Sequence, residues 1–436
     1  MHPIIYLVSE FILTVFVVGF THPTSRLRLI ALLPVALCMV CCIPQCMPYM
    51  IRTPWAALVG GYAVTYLYHY VDVALLSRWS FRDNAPVSGL VRPSSGVANT
   101  DKVSAEKRQR IVNNTVLARF HFGFKVTSSF RFVGTPYEVR NTPRPLEVGR
   151  KERTHFLMRT FAAIATSYTL LDLINSMNDP TIAAKYLGLD KIPLLTRLRD
   201  VSAEELVIRF FTVLAAGIGL NCVQGGIYHV FALVSVALNL SDPQDWPPFY
   251  GSPRDTYTLR SFWNVFWHQT NARKFSSIAH YTVHNSLNLP RGTVVARYLR
   301  ILVAFLSSGV MHMLDDIASG ITLENSGAMS FFLVQVLGLV AEDIVIRAYG
   351  SSTARMPRAA ERSVGFLWVS IFLTWSVPAY MYPMMWRTNQ GLNDSTIPYS
   401  LFGSGAERFK ASGLLSCAGM VALSGTLING DNFWTG

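Results

Sequence analysis

Charged residues are scarce in this chain of 436 residues, where Asp, Glu, Lys and Arg together make up only 15%. Soluble proteins of this size usually carry about a quarter charged residues. Apolar residues account for 51% of the chain and form several runs close to the ~20 residues that cross a hydrocarbon core. The composition therefore excludes a set of soluble domains and predicts one all-α, polytopic integral membrane protein.

The first apolar run, MHPIIYLVSEFILTVFVVGF, lacks the features of a cleaved secretory signal. It contains neither a basic n-region nor a small-x-small cleavage site, and a second apolar run follows at once. We expect a retained first span, with Glu10 facing protein rather than lipid.

Cysteine is also rare, and the chain has only six. Four of them, Cys38, Cys41, Cys42 and Cys46, lie inside the apolar run IALLPVALCMVCCIPQCMPYMI, whereas a zinc site needs polar surroundings and further ligands. We predict that they are packing residues. His280 and His284 are four apart but have no acidic third ligand nearby, so no metal site is predicted.

The apolar runs predict about nine transmembrane helices around an internal cavity. Their approximate bounds are 4–20, 30–51, 55–77, 155–177, 205–240, 298–315, 328–346, 365–386 and 411–429. The fifth run is long enough for one tilted span or for two. The predicted organisation is N-terminal spans in 1–77, a basic loop in 78–154, central spans in 155–240 and a catalytic region with C-terminal spans in 241–436.

The placement of Lys and Arg decides the ambiguous run, because cytosolic loops are enriched in these residues. Loop 78–154 holds fifteen basic and six acidic residues, and segments 241–300 and 347–362 are also basic. In segment 315–326, by contrast, every charged residue is acidic. A single crossing puts every basic loop on one side. We therefore predict a lumenal N-terminus, a cytosolic C-terminus, and a bend or re-entrant stretch between Gly217 and Gly226.

In this topology the basic residues orient the protein in the membrane and bind anionic lipid on the cytosolic side. No nucleic-acid partner is therefore expected. The sequons at Asn113 and Asn239 would be cytosolic and unused, and only Asn393 falls in a lumenal loop. The predicted location is the endoplasmic reticulum membrane.

The segment TYTLRSFWNVFWHQTNARKF, which begins at Thr256, places aromatic residues at helical spacing. One interpretation is an interfacial helix that lies among the lipid headgroups. The other is the cytosolic lip of a membrane cavity, where arginine and aromatic rings hold a charged, planar cofactor.

Three motifs in order resemble the wax-synthase-like branch of the membrane-bound O-acyltransferases. WPPFYGSPRDTYTLRSFWNVFWHQ is similar to the "P-F…TSLRDFWGRRWHQ" signature, SSGVMH to "SGLLH", and FFLVQVLGLVAED to "FF…Q…ED". The three cover roughly 240–345. This chain departs from the signature at Ser261, Val265 and Phe266, where the family has one acidic and two basic residues.

His312 is the central candidate for catalysis. It lies about 18 Å along a helix beyond Arg300, deep in the membrane, where an imidazole is costly unless it serves a function or faces a partner. A neutral imidazole can remove the proton of an alcohol as the oxygen attacks a thioester. Asp316, four residues later, is predicted to orient the ring, although Asp315 and Asp316 can also simply begin the acidic lumenal loop.

The resemblance implies transfer of an acyl group from acyl-CoA to a hydroxyl, with no metal or other cofactor. It implies that Asn264 and His268 assist His312 by polarising the thioester or binding the donor. Because two basic positions of the signature are lost, the basic mouth of the cavity would come from Arg260, Arg273 and Lys274, beside Trp263 and Trp267. Ser308 and Gln335 are predicted to line the path of the acceptor.

Fungal proteins of this branch often acetylate terpenoid or meroterpenoid hydroxyls, and others make long-chain wax esters. We expect acetyl-CoA from the cytosol and a bulky polycyclic alcohol from the bilayer, because apolar residues crowd the helix of His312. A non-enzymatic transporter with a proton-relaying histidine is the alternative from another class. No internal repeat supports it.

Overall fold

The computed structural model describes residues 1–50, 52–91, 93, 115–144, 152–350, 356–388, 396–397 and 399–402. The chain divides into two compact units. Unit 1 comprises Met1–Asn141 and Gln269–Arg355, and unit 2 comprises Thr142–His268 and Met356–Gly436.

Helices dominate the described residues, as the apolar periodicity predicts. The α-helices are α1 (Pro3–Phe20), α2 (Leu27–Ile30), α3 (Leu32–Met50), α4 (Thr53–Tyr70), α5 (Val116–Ser128), α6 (Glu152–Ser176), α7 (Pro180–Tyr186), α8 (Ala203–Ala237), α9 (Leu259–Ser261), α10 (Ala272–His280), α11 (Val294–Ala318), α12 (Ala328–Gly350), α13 (Arg358–Ser376) and α14 (Pro378–Thr388). Turns of π-helix occupy Val71–Leu76, Phe262–Phe266 and Tyr281–Ser286, and short 3₁₀ turns occupy Leu189–Lys191, Leu195–Arg197, Pro243–Asp245 and Pro253–Asp255. One antiparallel hairpin pairs β1 (Trp79–Ser80) with β2 (Ala85–Pro86) in the register Trp79↔Pro86.

Six helical segments of the described residues are long and apolar enough to cross a membrane. A seventh span results if α13 and α14, which meet at a bend of 49° before Pro378, are counted as one. The predicted run 55–77 is helical in α4, but this helix is not among the six. The predicted run 411–429 lies outside the described residues. The chain is an integral membrane protein, and the count of nine stays a prediction.

The long fifth run is one helix, α8, of 35 residues that begins after the Ser202 cap. Gly217 and Gly226 both lie inside this continuous helix, so the chain does not re-enter between them, and a bend at this point stays a prediction. Asn221 and Gln224 lie in this stretch, but the backbone stays helical through both. The helix favours the single crossing on which the topology depends.

Unit 1 packs α1, α3, α4, α11 and α12 around small residues. A Cβ on Gly60 of α4 would overlap the Cβ of Ala318 on α11, so the glycine allows these two helices to approach closely. Cys42 and Cys46 are free and fully buried in the same apolar cluster, beside Ala63. This agrees with their predicted packing role.

Part of the basic loop 78–154 is folded in unit 1. Helix α5 lies against α1, and its Gly123 faces the Val15 carbonyl oxygen with no room for a Cβ. Phe120 and Phe124 of α5 contact Phe16 and Phe11 of α1 edge-on. The described part of this loop therefore contributes to the packing of unit 1.

Unit 2 contains α6 and α8, which pack together, and α13 and α14 contact α8. Arg209 of α8 is only 1% exposed, and its guanidinium donates to the carbonyl oxygens of Lys191, Ile192 and Thr374 at 2.7–3.1 Å. Burial of a cation is tolerated here because these carbonyls satisfy its donors.

Candidate active site

The helix that carries His312 begins at a Thr293 cap and continues as an apolar run to Ala318. The Thr293 hydroxyl accepts from the Ala296 amide at 3.2 Å, which satisfies one of the free donors at the start of α11. Gly309 faces α12, where a Cβ would lie 3.0 Å from Met329 Sδ. The small residue thus lets α12 approach the face of α11 next to His312.

Phe332 and Asp315 contact the His312 ring. Phe332 of α12 stacks on it, with ring centroids 4.9 Å apart and planes 8° from parallel. His312 Nδ1 lies 2.9 Å from Oδ2 of Asp315, three residues later on the same helix. The ring keeps 23% of its side-chain surface exposed, so it is half-buried and accessible to a reactant.

The carboxylate at the imidazole is Asp315, where the sequence led us to expect Asp316. Asp316 is fully buried, and its Oδ2 accepts from the Ser326 hydroxyl at 2.6 Å in the loop that follows α11. Positions three and four residues apart both lie on the face of His312, so spacing alone cannot separate the two. The bond to Ser326 engages Asp316 with the loop.

Polar side chains from other segments of unit 1 contact α11 at Ser307 and Met311. Asn271 Nδ2 contacts Met311 Sδ at 3.4 Å, and the Thr65 hydroxyl contacts the same sulfur at 3.6 Å. The Tyr68 hydroxyl donates to the Ser307 carbonyl oxygen at 3.3 Å. These contacts tie α4 and the start of α10 to the helix of the imidazole.

Arg273 and Lys274 are buried, although the sequence predicted them at an open cavity mouth. Arg273 Nε donates to Asp72 Oδ2 at 3.0 Å and Nη1 to the Tyr137 carbonyl oxygen at 3.0 Å. Lys274 Nζ donates to the Thr270 carbonyl oxygen and to Asn271 Oδ1, both at 2.9 Å.

Both of these cations thus have protein partners, and Arg273 is only 7% and Lys274 0% exposed. Burial holds the pKa of the Lys274 ammonium well below its usual range, although the charge of Asp72 favours the protonated form. Their predicted contact with the acyl donor stays a prediction, and their placement argues for a structural role.

The aromatic segment of unit 2 forms a shorter helix than predicted. The Thr258 hydroxyl caps α9 by accepting from the Ser261 amide at 2.9 Å, and a π-helical turn continues to Phe266. At Trp267 the backbone becomes extended. Gly251 explains part of this geometry, because its amide donates to the Phe266 carbonyl oxygen at 2.8 Å and a Cβ there would overlap the Val265 carbonyl.

His268 lies among aromatic rings of the same unit. It stacks on Phe249 with centroids 5.4 Å apart, and the rings of Tyr250 and Trp267 lie 5.8 and 5.5 Å away. The ring centroids of Trp263 and Trp267 are 5.8 Å apart. These contacts define an aromatic cluster that consists of Phe249, Tyr250, Trp263, Trp267 and His268.

Asn264 is exposed, and Arg260 is half-buried. Of the two predicted acceptor residues, Ser308 is half-buried and Gln335 is fully buried, with Nε2 donating to the Phe331 carbonyl oxygen at 3.3 Å. The burial of Gln335 favours a packing role, and its predicted contact with an acceptor stays a prediction.

Six of the predicted site residues belong to unit 1, namely Arg273, Lys274, Ser308, His312, Asp316 and Gln335. Arg260, Trp263, Asn264, Trp267 and His268 belong to unit 2. Sequence reasoning missed Asp315 and Phe332 as partners of the imidazole. The signals were present, since Asp315 lies three residues from His312 and Phe332 belongs to the FF pair of the third motif.

The histidine pair His280 and His284 has ring centroids 4.7 Å apart, and His284 Nδ1 lies 2.8 Å from the Leu289 carbonyl oxygen. Within the described ranges, no three His, Cys, Asp or Glu side chains are grouped as metal ligands.

Comparison with known proteins bears on the aromatic segment, on α11 and on the start of α12. The model of the membrane bound O-acyl transferase family matches residues 246–334, which include His268 and His312. Acetyltransferase aurG of Calcarisporium arbuscula is 32% identical over 320 residues, covering 72% of this chain and 76% of the relative.

Two further relatives have similar names. Acetyltransferase fsoF of Humicola fuscoatra is 31% identical over 351 residues, covering 76% of this chain and 83% of the relative. Acetyltransferase ataH of Aspergillus terreus is 31% identical over 288 residues, covering 64% of this chain and 94% of the relative. The extent of these matches and the imidazole held within a membrane helix lead to one conclusion: this chain belongs to the membrane-bound O-acyltransferase family.

Proposed function

We propose that this enzyme transfers acetyl from acetyl-CoA to a hydroxyl of a bulky apolar alcohol of the terpenoid or meroterpenoid class, in secondary metabolism, and that His312 is the general base. The observation that carries the proposal is the half-buried imidazole of α11, which Asp315 and Phe332 contact inside a membrane-spanning helix. The acetyl donor is supported by relatives whose names say acetyltransferase.

The chemistry follows from the imidazole. His312 accepts the proton of the alcohol as its oxygen attacks the thioester carbonyl, and a tetrahedral oxyanion forms. The oxyanion collapses, the C–S bond breaks, and the imidazolium returns its proton to the leaving CoA thiolate. The products are an ester and free CoA, and the base is regenerated.

An imidazole suits this task because it can accept the proton of the alcohol and then donate it to the leaving thiolate. A hydroxyl by itself is a weak nucleophile, so loss of the base should cost about 10²–10⁴-fold in rate. For the donor we propose the aromatic cluster of unit 2 with Arg260 and Asn264, since planar rings and a guanidinium suit an adenine nucleotide.

The acceptor class rests on the apolar surroundings of His312. Met311 beside it is buried, and Val303, Phe305 and Val310 of the same helix are partly exposed apolar side chains. We propose that the alcohol enters laterally from the bilayer of the endoplasmic reticulum and acyl-CoA from the cytosol. A long-chain alcohol is the second acceptor class to be tested.

The test uses microsomes that contain the full chain, given radiolabelled acetyl-CoA or palmitoyl-CoA. The probe acceptors are a sesquiterpenoid alcohol, a steroid alcohol and 1-hexadecanol. We expect labelled acetate ester of a polycyclic acceptor, and its loss in His312→Ala but not in His22→Ala, a matched substitution of an exposed histidine. A folded His312→Ala protein that esterifies at the wild-type rate would refute the base assignment, and palmitoyl transfer to hexadecanol alone would refute the donor and acceptor.

A further inference from the structure

We propose that Asp315 is a positioning residue that fixes the tautomer and orientation of His312 and that Asp316 does not share this role. This inference rests on the proposed function of His312. It starts from the 2.9 Å separation between His312 Nδ1 and Asp315 Oδ2. A neutral imidazole carries one N–H, and a carboxylate at Nδ1 makes that nitrogen the donor. The lone pair that accepts the proton of the alcohol is then on Nε2.

The ring is constrained in two independent ways. Phe332 lies nearly parallel to the imidazole, 8° apart, and so limits tilting of the ring plane. The contact with Asp315 limits rotation within that plane. Together the two contacts fix the direction in which the Nε2 lone pair points. A base held in this way avoids the entropic cost of orienting a freely rotating imidazole.

The carboxylate of Asp315 is well placed to respond to the charge that forms during the reaction. Asp315 is 8% exposed, and its Oδ1 is a buried atom without a hydrogen-bond partner among the described residues. A charge in such surroundings is poorly solvated, so its attraction to an imidazolium 2.9 Å away is strong. Asp315 therefore stabilises the protonated His312 that exists only after the alcohol has been deprotonated.

Helix α4 supplies the space for this carboxylate. A Cβ on Gly61 would lie 3.0 Å from Asp315 Oδ1, 3.2 Å from Cγ and 3.4 Å from Oδ2. Any side chain at position 61 would press on the carboxylate that holds the ring. Gly61 is thus a steric probe of the position of Asp315 that removes no charge.

Asp316 provides the matched comparison. It has the same charge, is also buried and lies next in the chain, but its Oδ2 accepts from the Ser326 hydroxyl at 2.6 Å. Its substitution should loosen the loop after α11 and leave the imidazole oriented.

The experiment compares Asp315→Asn, Asp316→Asn and Gly61→Ala in detergent-solubilised full-length enzyme. The assay uses acetyl-CoA and the best probe alcohol, and release of free thiol in the absence of alcohol serves as an acceptor-independent assay. We expect Asp315→Asn to lower kcat by about 10²-fold or more with KM for acetyl-CoA within about twofold of wild type. Gly61→Ala should lower kcat about tenfold, and Asp316→Asn should lower the melting temperature while kcat falls less than about threefold.

Two further readouts separate positioning from structural damage. The shape of the rate–pH profile should change in Asp315→Asn and stay as in wild type in Asp316→Asn. In a His312→Ala background, Asp315→Asn should cost nothing more, because a positioning residue acts only through the ring it positions.

The inference is overturned if folded Asp315→Asn keeps kcat within about threefold of wild type, or if Asp316→Asn loses as much kcat as Asp315→Asn. It is also overturned if the Asp315 and His312 losses are additive. Failure of the proposed function has a different signature, because then His312→Ala itself retains the wild-type rate.

Discussion

Arg273 and Asp72 form a buried ion pair in unit 1, with Arg273 Nε 3.0 Å from Asp72 Oδ2 and side-chain exposures of 5% and 0%. The same carboxylate accepts from the Ser77 hydroxyl at 2.5 Å. The guanidinium also lies 4.2 Å from the centroid of the Phe132 ring. The pair joins residues about two hundred positions apart, so it links the start of α10 to the turn after α4.

Substitution of Asp72 by Ala should destabilise the protein by about 3–5 kcal/mol, because it leaves the Arg273 cation buried without its counter-charge. Thermal unfolding of the solubilised protein, followed by size-exclusion fluorescence, measures the change. Glu204→Gln is the control, because its partner Lys185 and Glu204 itself are both more than 60% exposed. Equal melting temperatures for wild type and Asp72→Ala would contradict the importance of the pair.

The close contact of α4 with α11 makes a second prediction. Gly60→Ala should destabilise by about 1–3 kcal/mol and lower activity, because the added methyl group overlaps Ala318 and displaces the helix that carries His312. The compensating change Ala318→Gly, combined with Gly60→Ala, should restore both activity and melting temperature.

The control for this pair is Gly217→Ala in α8. A Cβ at Gly217 meets no atom within 4 Å, so this substitution should be neutral or slightly stabilising. If Gly60→Ala is as well tolerated as Gly217→Ala, then α4 and α11 do not approach closely at Gly60 and Ala318.

Donor binding by the aromatic segment makes a third prediction. Arg260→Ala should raise KM for acetyl-CoA by about tenfold, the equivalent of one charge-assisted hydrogen bond of roughly 1.4 kcal/mol. The control is Arg254→Ala in the exposed turn Pro253–Asp255. Steady-state kinetics with varied acetyl-CoA distinguish the two. An unchanged KM in Arg260→Ala would remove this residue from the donor site.

The topology can be tested with the three natural sequons. With the basic loops in the cytosol, Asn113→Gln and Asn239→Gln should leave the electrophoretic mobility of the expressed protein unchanged. A glycan, if present, should be lost only in Asn393→Gln. Treatment with a peptide N-glycosidase reveals the attached sugar, and glycan at Asn113 would place the basic loop in the lumen and reverse the topology.

Much of the fold followed from local patterns. The apolar runs predicted helices where the structure has α1, α3, α8, α11 and α12. About twenty apolar residues in a row identify a membrane span without any knowledge of its neighbours. Interruptions were harder to place. The aromatic helix ends before Trp267 because of a π-helical turn and the close approach of Gly251, and neither follows from periodicity.

The candidate site divides in the same way. The position of His312 deep in an apolar helix, and its place in an ordered set of motifs, could be read from the chain because both depend on residues close together in sequence. The identity of its carboxylate could not, because Asp315 and Asp316 share a helix face with it. Gly61 on α4 and Ser326 in the next loop decide between them, and only packing brings these residues to α11. The same reason explains why the role of Arg273 could not be predicted, because its partner Asp72 lies in a distant segment of the chain. The sequence showed only a basic residue, whereas the tertiary structure shows a buried ion pair.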